Sequence, residues 1–116
     1  DTEAMKATID EVEVGMTRAR EQCDGKRYSE ALQTVKKLQA TCPGWRGLLI
    51  MTAEVMVWMK NFEQAYAITT NMLRENANDS DAMYWRAQSL YYQGDFTKAV
   101  KNMQAVLRRD PDNKPC

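Results

Sequence analysis

Few side chains in this 116-residue sequence could carry out covalent or metal chemistry. The sequence contains no histidine, which removes histidine-based nucleophile–base pairs, His-rich zinc motifs and the imidazole general base. The acidic residues Asp10, Glu11 and Glu13 are close in sequence but form no compact ligand set, so we interpret them as a solvated face. Since a nucleophile–base pair and a glycine-rich phosphate loop are also missing, the sequence predicts a protein that is not an enzyme and binds no cofactor or metal.

The numbers and spacing of charged, apolar and cysteine residues indicate which binding partners and which cellular compartment to expect. Sixteen Lys and Arg balance sixteen Asp and Glu, whereas a nucleic-acid-binding domain normally has a basic excess. No stretch approaches the ~18 apolar residues of a membrane span, so we expect neither nucleic acid nor membrane as a partner. Cys23, Cys42 and Cys116 are irregularly spaced, which indicates neither a disulfide framework nor a metal site. Unpaired thiols are typical of a reducing compartment.

An internal repeat reveals the elements that must position any binding residue. Ala31, Ala65 and Ala99 are separated by 34 residues, and aromatic residues three positions earlier keep the same spacing. Those aromatic residues are Tyr28, Phe62 and Phe96. Only five Gly and three Pro interrupt a sequence rich in helix formers. A helical period of 34 predicts helix–turn–helix units, which cannot bury their apolar faces alone and therefore stack.

Each 34-residue copy contains further signals of a helical hairpin. A small residue occurs where the first helix must approach the second closely; the three are Ala19, Ala53 and Ala87. Pro43 and Pro111 cannot continue a helix and are expected to close the second helix of their copies. Asp79 and Ser80 predict an N-cap at the start of the last hairpin.

The copy at 80–113 resembles the tetratricopeptide repeat (TPR) most completely. The matching residues are Met83, Ala87, Leu90, Gly94, Phe96, Ala99, Met103, Val106 and Pro111. The resemblance implies an all-α fold, a TPR helix–turn–helix solenoid of three repeats wound as a right-handed superhelix. We predict one domain over 1–116, with repeats at 12–45, 46–79 and 80–113. Residues 1–11 are expected to form a leading helix continuous with the first repeat, and 114–116 to begin a continuation of the parent chain.

Several residues depart from the repeat pattern: Gly15, Arg18 and Gln22 in the first copy, Ala77 in the second and Arg86 in the third. Arg86 occupies a position where the pattern has an aliphatic residue. Gly15 lies in the first copy, which matches least well, at a position where an apolar residue is expected.

Three stretches point to a particular subfamily of TPR proteins. They are LLIMTAE at 48–54, DAMYWRAQSLYY at 81–92 and LRRDPD at 107–112. They resemble the middle TPR segment of J-domain (DnaJ-type) co-chaperones that carry two TPR arrays. The resemblance implies a cytoplasmic protein, also nuclear, that helps couple clients or chaperones of the seventy- and ninety-kilodalton heat-shock classes. The J domain itself requires a His-Pro-Asp motif and is therefore not in this chain. Two alternatives stay open: a client-binding TPR segment of a co-chaperone of the endoplasmic reticulum lumen, and a structural spacer between flanking TPR arrays.

In chaperone adaptors of this family, Lys, Arg and Asn side chains clamp a C-terminal Glu-Glu-Val-Asp tail. The corresponding positions in this sequence are Met16, Arg20, Met51, Asp81 and Trp85. None is the residue that the clamp requires; only Arg20 is cationic, and Asp81 would repel an anionic tail. We therefore predict that the clamp is absent from this segment.

The first helices of the repeats instead present apolar and aromatic residues at inward positions: Met16, Ile50, Met51, Trp58, Tyr84, Trp85, Gln88 and Tyr92. Exposed patches of this kind mark interaction sites, and Trp and Tyr are enriched in binding hot spots. We predict a protein-binding surface for heat-shock chaperones or unfolded clients, consisting of Met51, Trp58, Tyr84, Trp85, Gln88 and Tyr92. The alternative is that these side chains are core residues or are covered by an adjacent helix.

Overall fold

The computed structural model describes residues 2–109, and within this range the chain forms six α-helices and no strand. The helices are α1 (Thr2–Asp24), α2 (Tyr28–Thr41), α3 (Arg46–Trp58), α4 (Phe62–Glu75), α5 (Ser80–Gln93) and α6 (Phe96–Arg109). The predicted all-α class is confirmed. No helix in the described range is both long and apolar enough to cross a bilayer. Pro111, Cys116 and the predicted continuation at 114–116 lie outside the described residues.

The chain divides into two compact units, residues 1–55 and residues 56–116. In the first unit, α1 packs against α2. Its core contains Val12, Ala19, Val35, Leu38, Leu48 and Met51. In the second unit, α5 packs against both α4 and α6. Side chains buried in this unit include Ala65, Met72, Ala82, Met83, Ala87, Leu90, Ala99 and Val106.

A residue in the left-handed conformation follows the first helix of each hairpin. These residues are Lys26 (φ 61°), Lys60 (φ 65°) and Gly94 (φ 93°), and they are spaced by 34 positions. The next residue donates its backbone N–H to the carbonyl oxygen five positions earlier. The three bonds are Arg27 to Gln22 at 2.7 Å, Asn61 to Met56 at 2.8 Å and Asp95 to Leu90 at 2.9 Å. This is the Schellman closure of a helix, so the sequence repeat recurs as a repeat of backbone geometry.

The predicted close-approach residues are buried. Ala19, Ala53 and Ala87 are at most 1% exposed, as expected for small residues where two helices meet. The N-cap prediction also holds, since the Asp79 carboxylate accepts a hydrogen bond from the backbone N–H of Ala82 at 3.2 Å. Helix α2 ends at Thr41, two residues before Pro43, as expected for a proline that closes a helix.

Two of the departures from the repeat pattern, Gly15 and Arg86, have a structural reason. A Cβ atom at Gly15 would lie 2.6 Å from Cδ2 of Leu38, so glycine lets this leucine pack against the backbone of α1. In the second unit, Nε of Arg86 donates a hydrogen bond to Oδ1 of Asn102 at 2.8 Å. The Arg86 guanidinium also lies 6.0 Å from the ring centroid of Tyr66. Arg86 thus joins α5 to α6 and to α4 through polar contacts instead of aliphatic packing.

Replacing Lys60 by Gly tests the turn geometry. A non-glycine residue with positive φ is disfavoured by roughly 1–2 kcal/mol, of which the extra freedom of glycine in the unfolded chain cancels part. We expect Lys60→Gly to raise the free energy of unfolding by about 0.5–1 kcal/mol in urea denaturation. The control Lys101→Gly, on the exposed side of α6, should lower it by about 1 kcal/mol. A loss of stability in Lys60→Gly would contradict the left-handed assignment.

Candidate protein-binding site

The second unit contains an open cavity of about 690 Å³, which we call the aromatic groove. Trp58, at the end of α3, contributes to its wall, and the other walls are formed by α5 and α6. The lining residues are Trp58, Tyr84, Trp85, Ala87, Gln88, Tyr91, Tyr92, Phe96, Ala99, Val100, Met103, Gln104 and Leu107. None of these residues is charged, so an apolar group could enter without displacing water from an ion.

The aromatic side chains hold one another in place. Trp58 meets the ring of Trp85 edge-on at a centroid distance of 6.2 Å and the ring of Tyr92 at the same distance. Tyr84 packs edge-on against Trp85 at 5.2 Å. Phe62 stacks on Tyr92 at 6.3 Å with an angle of 12° between the ring planes. Such pairs are favourable beyond the area that they bury, so the rings are oriented before any partner arrives.

Several of these rings are only half covered by the protein. Trp58 is 42% exposed, Tyr92 47%, Tyr91 53% and Phe96 58%. Large apolar side chains exposed together in one concave surface are uncommon in a folded monomer and mark contact sites. The groove therefore has apolar area available for a partner.

Five of the six predicted binding residues line the aromatic groove: Trp58, Tyr84, Trp85, Gln88 and Tyr92. The sixth, Met51, is 4% exposed, belongs to the core of the first unit and lines a separate pocket there.

The sequence interpretation missed the α6 wall of the groove. That wall contains Phe96, Val100, Met103 and Leu107, which are spaced by four, three and four residues. This spacing puts the four side chains on one stripe of a helix. The stripe was visible in the sequence, but the TPR pattern assigned Phe96 and Met103 to packing within the repeat.

A smaller pocket of about 390 Å³ lies in the first unit, and we call it the first-unit pocket. It is lined by Met16, Thr17, Arg20, Glu21, Asp24 and Met51, which include three of the five clamp positions. Of the other two, Trp85 lines the aromatic groove and Asp81 is exposed in the first turn of α5. Arg20, the single cation among the five, forms an ion pair with Glu54, with Nη1 3.4 Å from Oε2.

Burial raises the pKa of Glu54, whose side chain is 14% exposed. The positive charge of Arg20 opposes this increase, and the negative charge of Asp24 adds to it. Burial also raises the pKa of the neighbouring Cys23 thiol, with the charge of Glu54 as the next contribution. Cys23 and Cys42 are both free thiols. Within residues 2–109, no three His, Cys, Asp or Glu side chains are grouped to hold a metal ion.

Comparison with known proteins identifies the class. The family described as "Tetratricopeptide repeat" matches residues 80–113. The first TPR domain of the human RPAP3 protein superposes with a TM-score of 0.77 at 20% identity, over 88% of this chain and 80% of that domain. Residues 80–113 therefore match a tetratricopeptide repeat, and the described helices have the fold of a TPR domain, as predicted. Repeats of this class are protein-interaction modules.

The sequence comparison points to particular relatives. The chain is 35% identical over 65 residues to the "DnaJ homolog subfamily C member 7 homolog" of Dictyostelium discoideum. This confirms the predicted resemblance to TPR-containing J-domain co-chaperones. The match covers 56% of this chain but only 12% of the relative's length.

A further solved structure was determined with a bound peptide. The first TPR of Spaghetti (RPAP3), bound to the HSP90 peptide SRMEEVD, has a TM-score of 0.75 and 20% identity. The likeness covers 88% of this chain and 81% of that domain. At this identity the likeness establishes the shared fold.

Replacing Glu54 by Gln tests the cost of its burial. Because the folded-state pKa exceeds the ordinary 4.5 of the unfolded chain, ionisation of Glu54 destabilises the fold at neutral pH. This cost is absent when the pH is below the pKa of Glu54 in the unfolded chain. It grows as the pH rises through the pKa of Glu54 in the folded chain. We expect Glu54→Gln to raise the melting temperature at pH 7, with the difference disappearing near about pH 3. Glu21→Gln, which removes an exposed carboxylate of α1, should change the melting temperature little. A lower melting temperature for Glu54→Gln at pH 7 would contradict this expectation.

Proposed function

We propose that this chain is the non-catalytic protein-binding module of a TPR- and J-domain-containing co-chaperone, and that its aromatic groove binds an apolar segment of an unfolded client. The observation that carries the proposal is the groove itself, a cavity of about 690 Å³ with half-exposed aromatic walls and no charged residue among its described lining residues. The similarity to DnaJ homolog subfamily C member 7 supports the assignment to a co-chaperone.

The lining favours apolar side chains without demanding one sequence. Aromatic rings bury about 150–250 Å² each and supply large contact areas at a low cost in conformational entropy. Met103 can adapt to irregular shapes because its side chain is unbranched and polarizable. Gln88 and Gln104 and the tyrosine hydroxyls provide hydrogen-bonding groups for the backbone of a bound segment. These properties suit clients that share exposed apolar residues but no common sequence.

We place the protein in the cytoplasm, on the similarity to the J-domain co-chaperones. The two free thiols agree with a reducing compartment. A disulfide found by mass spectrometry in protein isolated from cells would favour the alternative, the lumen of the endoplasmic reticulum.

An acidic chaperone tail is expected to bind poorly. Four of the five clamp positions lack a cation, and Arg20 is already paired with Glu54. We expect the peptide SRMEEVD, the ligand of the related domain, to bind with a dissociation constant no better than about 1 mM, or about −4 kcal/mol. Isothermal titration calorimetry measures this directly. Micromolar binding that is lost when the peptide carries a C-terminal amide would show that a functional clamp is present.

Truncation of Trp85 tests the groove as the contact site. The probe is a labelled 15-residue amphipathic peptide with four leucines on one face, and the comparison peptide has serine at those positions. We expect Trp85→Ala to weaken binding of the leucine peptide at least ten-fold, because the ring lines the groove and contacts the rings of Trp58 and Tyr84. Fluorescence anisotropy gives the affinity, and thermal unfolding gives the fraction of folded protein.

The matched control is Tyr66→Ala, which removes an exposed aromatic ring of α4 that does not line the groove. This variant should bind the leucine peptide like the wild type. If Trp85→Ala only lowers stability, by the ~3–5 kcal/mol typical of a core aromatic residue, and binding per folded molecule is unchanged, Trp85 is a core residue. If the wild type binds the leucine and serine peptides equally, the groove is a packing surface and the chain a structural spacer.

A further inference from the structure

The first-unit pocket combines an apolar surface with an unequal set of charges. Met16 and Met51 provide its apolar part. Among the described residues that line it, Arg20 is the one cation, whereas Glu21 and Asp24 are acidic. An anionic ligand in this pocket would therefore depend on Arg20 for its attraction and would meet two like charges.

Arg20 of α1 forms an ion pair with a carboxylate of α3 in the same unit. Nη1 of Arg20 lies 3.4 Å from Oε2 of Glu54 on α3. The Arg20 side chain is 56% exposed, whereas that of Glu54 is 14% exposed. Glu54 thus interacts with the guanidinium from the protein side and leaves its outer part in solvent. A peptide carboxylate would therefore compete for Arg20 with the carboxylate of Glu54, which belongs to the same chain and is already in contact with the guanidinium.

We propose that Glu54 is a specificity-determining residue, which excludes acidic peptide termini from the first-unit pocket by neutralising Arg20. With Glu54 included, one positive charge faces three negative charges, those of Glu21, Asp24 and Glu54. Glu54 differs from the other two acids because its carboxylate contacts the cation that an anionic ligand would need. This proposal concerns the first unit and does not depend on the aromatic groove.

The test measures binding of SRMEEVD with a free C-terminus to the whole chain, by titration followed with ¹H–¹⁵N NMR. We expect Glu54→Gln to bind the peptide at least five-fold more tightly than the wild type, with shifts in the Arg20 side-chain signal. The gain should disappear in the double variant Glu54→Gln/Arg20→Gln and with the C-terminally amidated peptide. Unchanged affinity in a folded Glu54→Gln variant would overturn the proposal.

Glu21→Gln is the matched control, because it removes the same charge from the pocket but has no ion pair with Arg20 among the described contacts. A five-fold gain in both variants would attribute the effect to total charge and overturn the specific role of Glu54.

A second measurement needs no Glu54 variant: Arg20→Gln in the otherwise wild-type chain should leave the affinity for SRMEEVD unchanged. A clear loss would show that Arg20 already binds the peptide and would overturn the proposal. The leucine peptide should bind Glu54→Gln and wild type equally, which separates this outcome from the test of the aromatic groove.

Discussion

The reversal of the chain at Lys26, Lys60 and Gly94 is the constraint on which the hairpins depend. A left-handed residue lets the next N–H group bond to a carbonyl five positions earlier, so the last turn of the helix is satisfied while the chain turns back. In α1–α2 and α5–α6 the following helix packs against the first, and its apolar stripe can be buried. Two of the three positions are occupied by lysine, for which a positive φ is strained. The strain is tolerated because packing of the surrounding structure compensates for it.

Sequence periodicity was sufficient for the repeat and its helices because the signals are local. The alanines at helix contacts, the cap at Asp79 and the end of α2 before Pro43 each follow from residue type and spacing within one copy. Arg86 could not be explained in the same way. Its hydrogen bond to Asn102 and its position over Tyr66 join residues from different helices, which no pattern within α5 can reveal.

The site illustrates the same limit. The aromatic residues of α5 were predicted as a surface because inward positions follow from the repeat register. The register did not reveal that Met51 is buried in the core of the first unit or that the apolar stripe of α6 forms one wall of the groove. Both facts depend on how much of a helix face is covered by neighbouring helices. That coverage is set by tertiary packing and cannot be read from the spacing of residues in the sequence.

The two units offer surfaces of different chemistry within one repeat fold. The described lining residues of the aromatic groove carry no charge, so their attraction for a ligand is mainly the burial of apolar area and falls little with salt. The first-unit pocket contains a cation whose charge is already used by Glu54, in a setting where burial of the carboxylate raises its pKa and costs stability. Glutamine could occupy this largely buried position without that cost, but it would remove the ion pair of Arg20. A carboxylate that lowers stability and cancels the single cation of a pocket is understandable if the pocket must reject anions. The fold would then separate an apolar ligand from an acidic one by electrostatics in one unit and by shape and apolar area in the other.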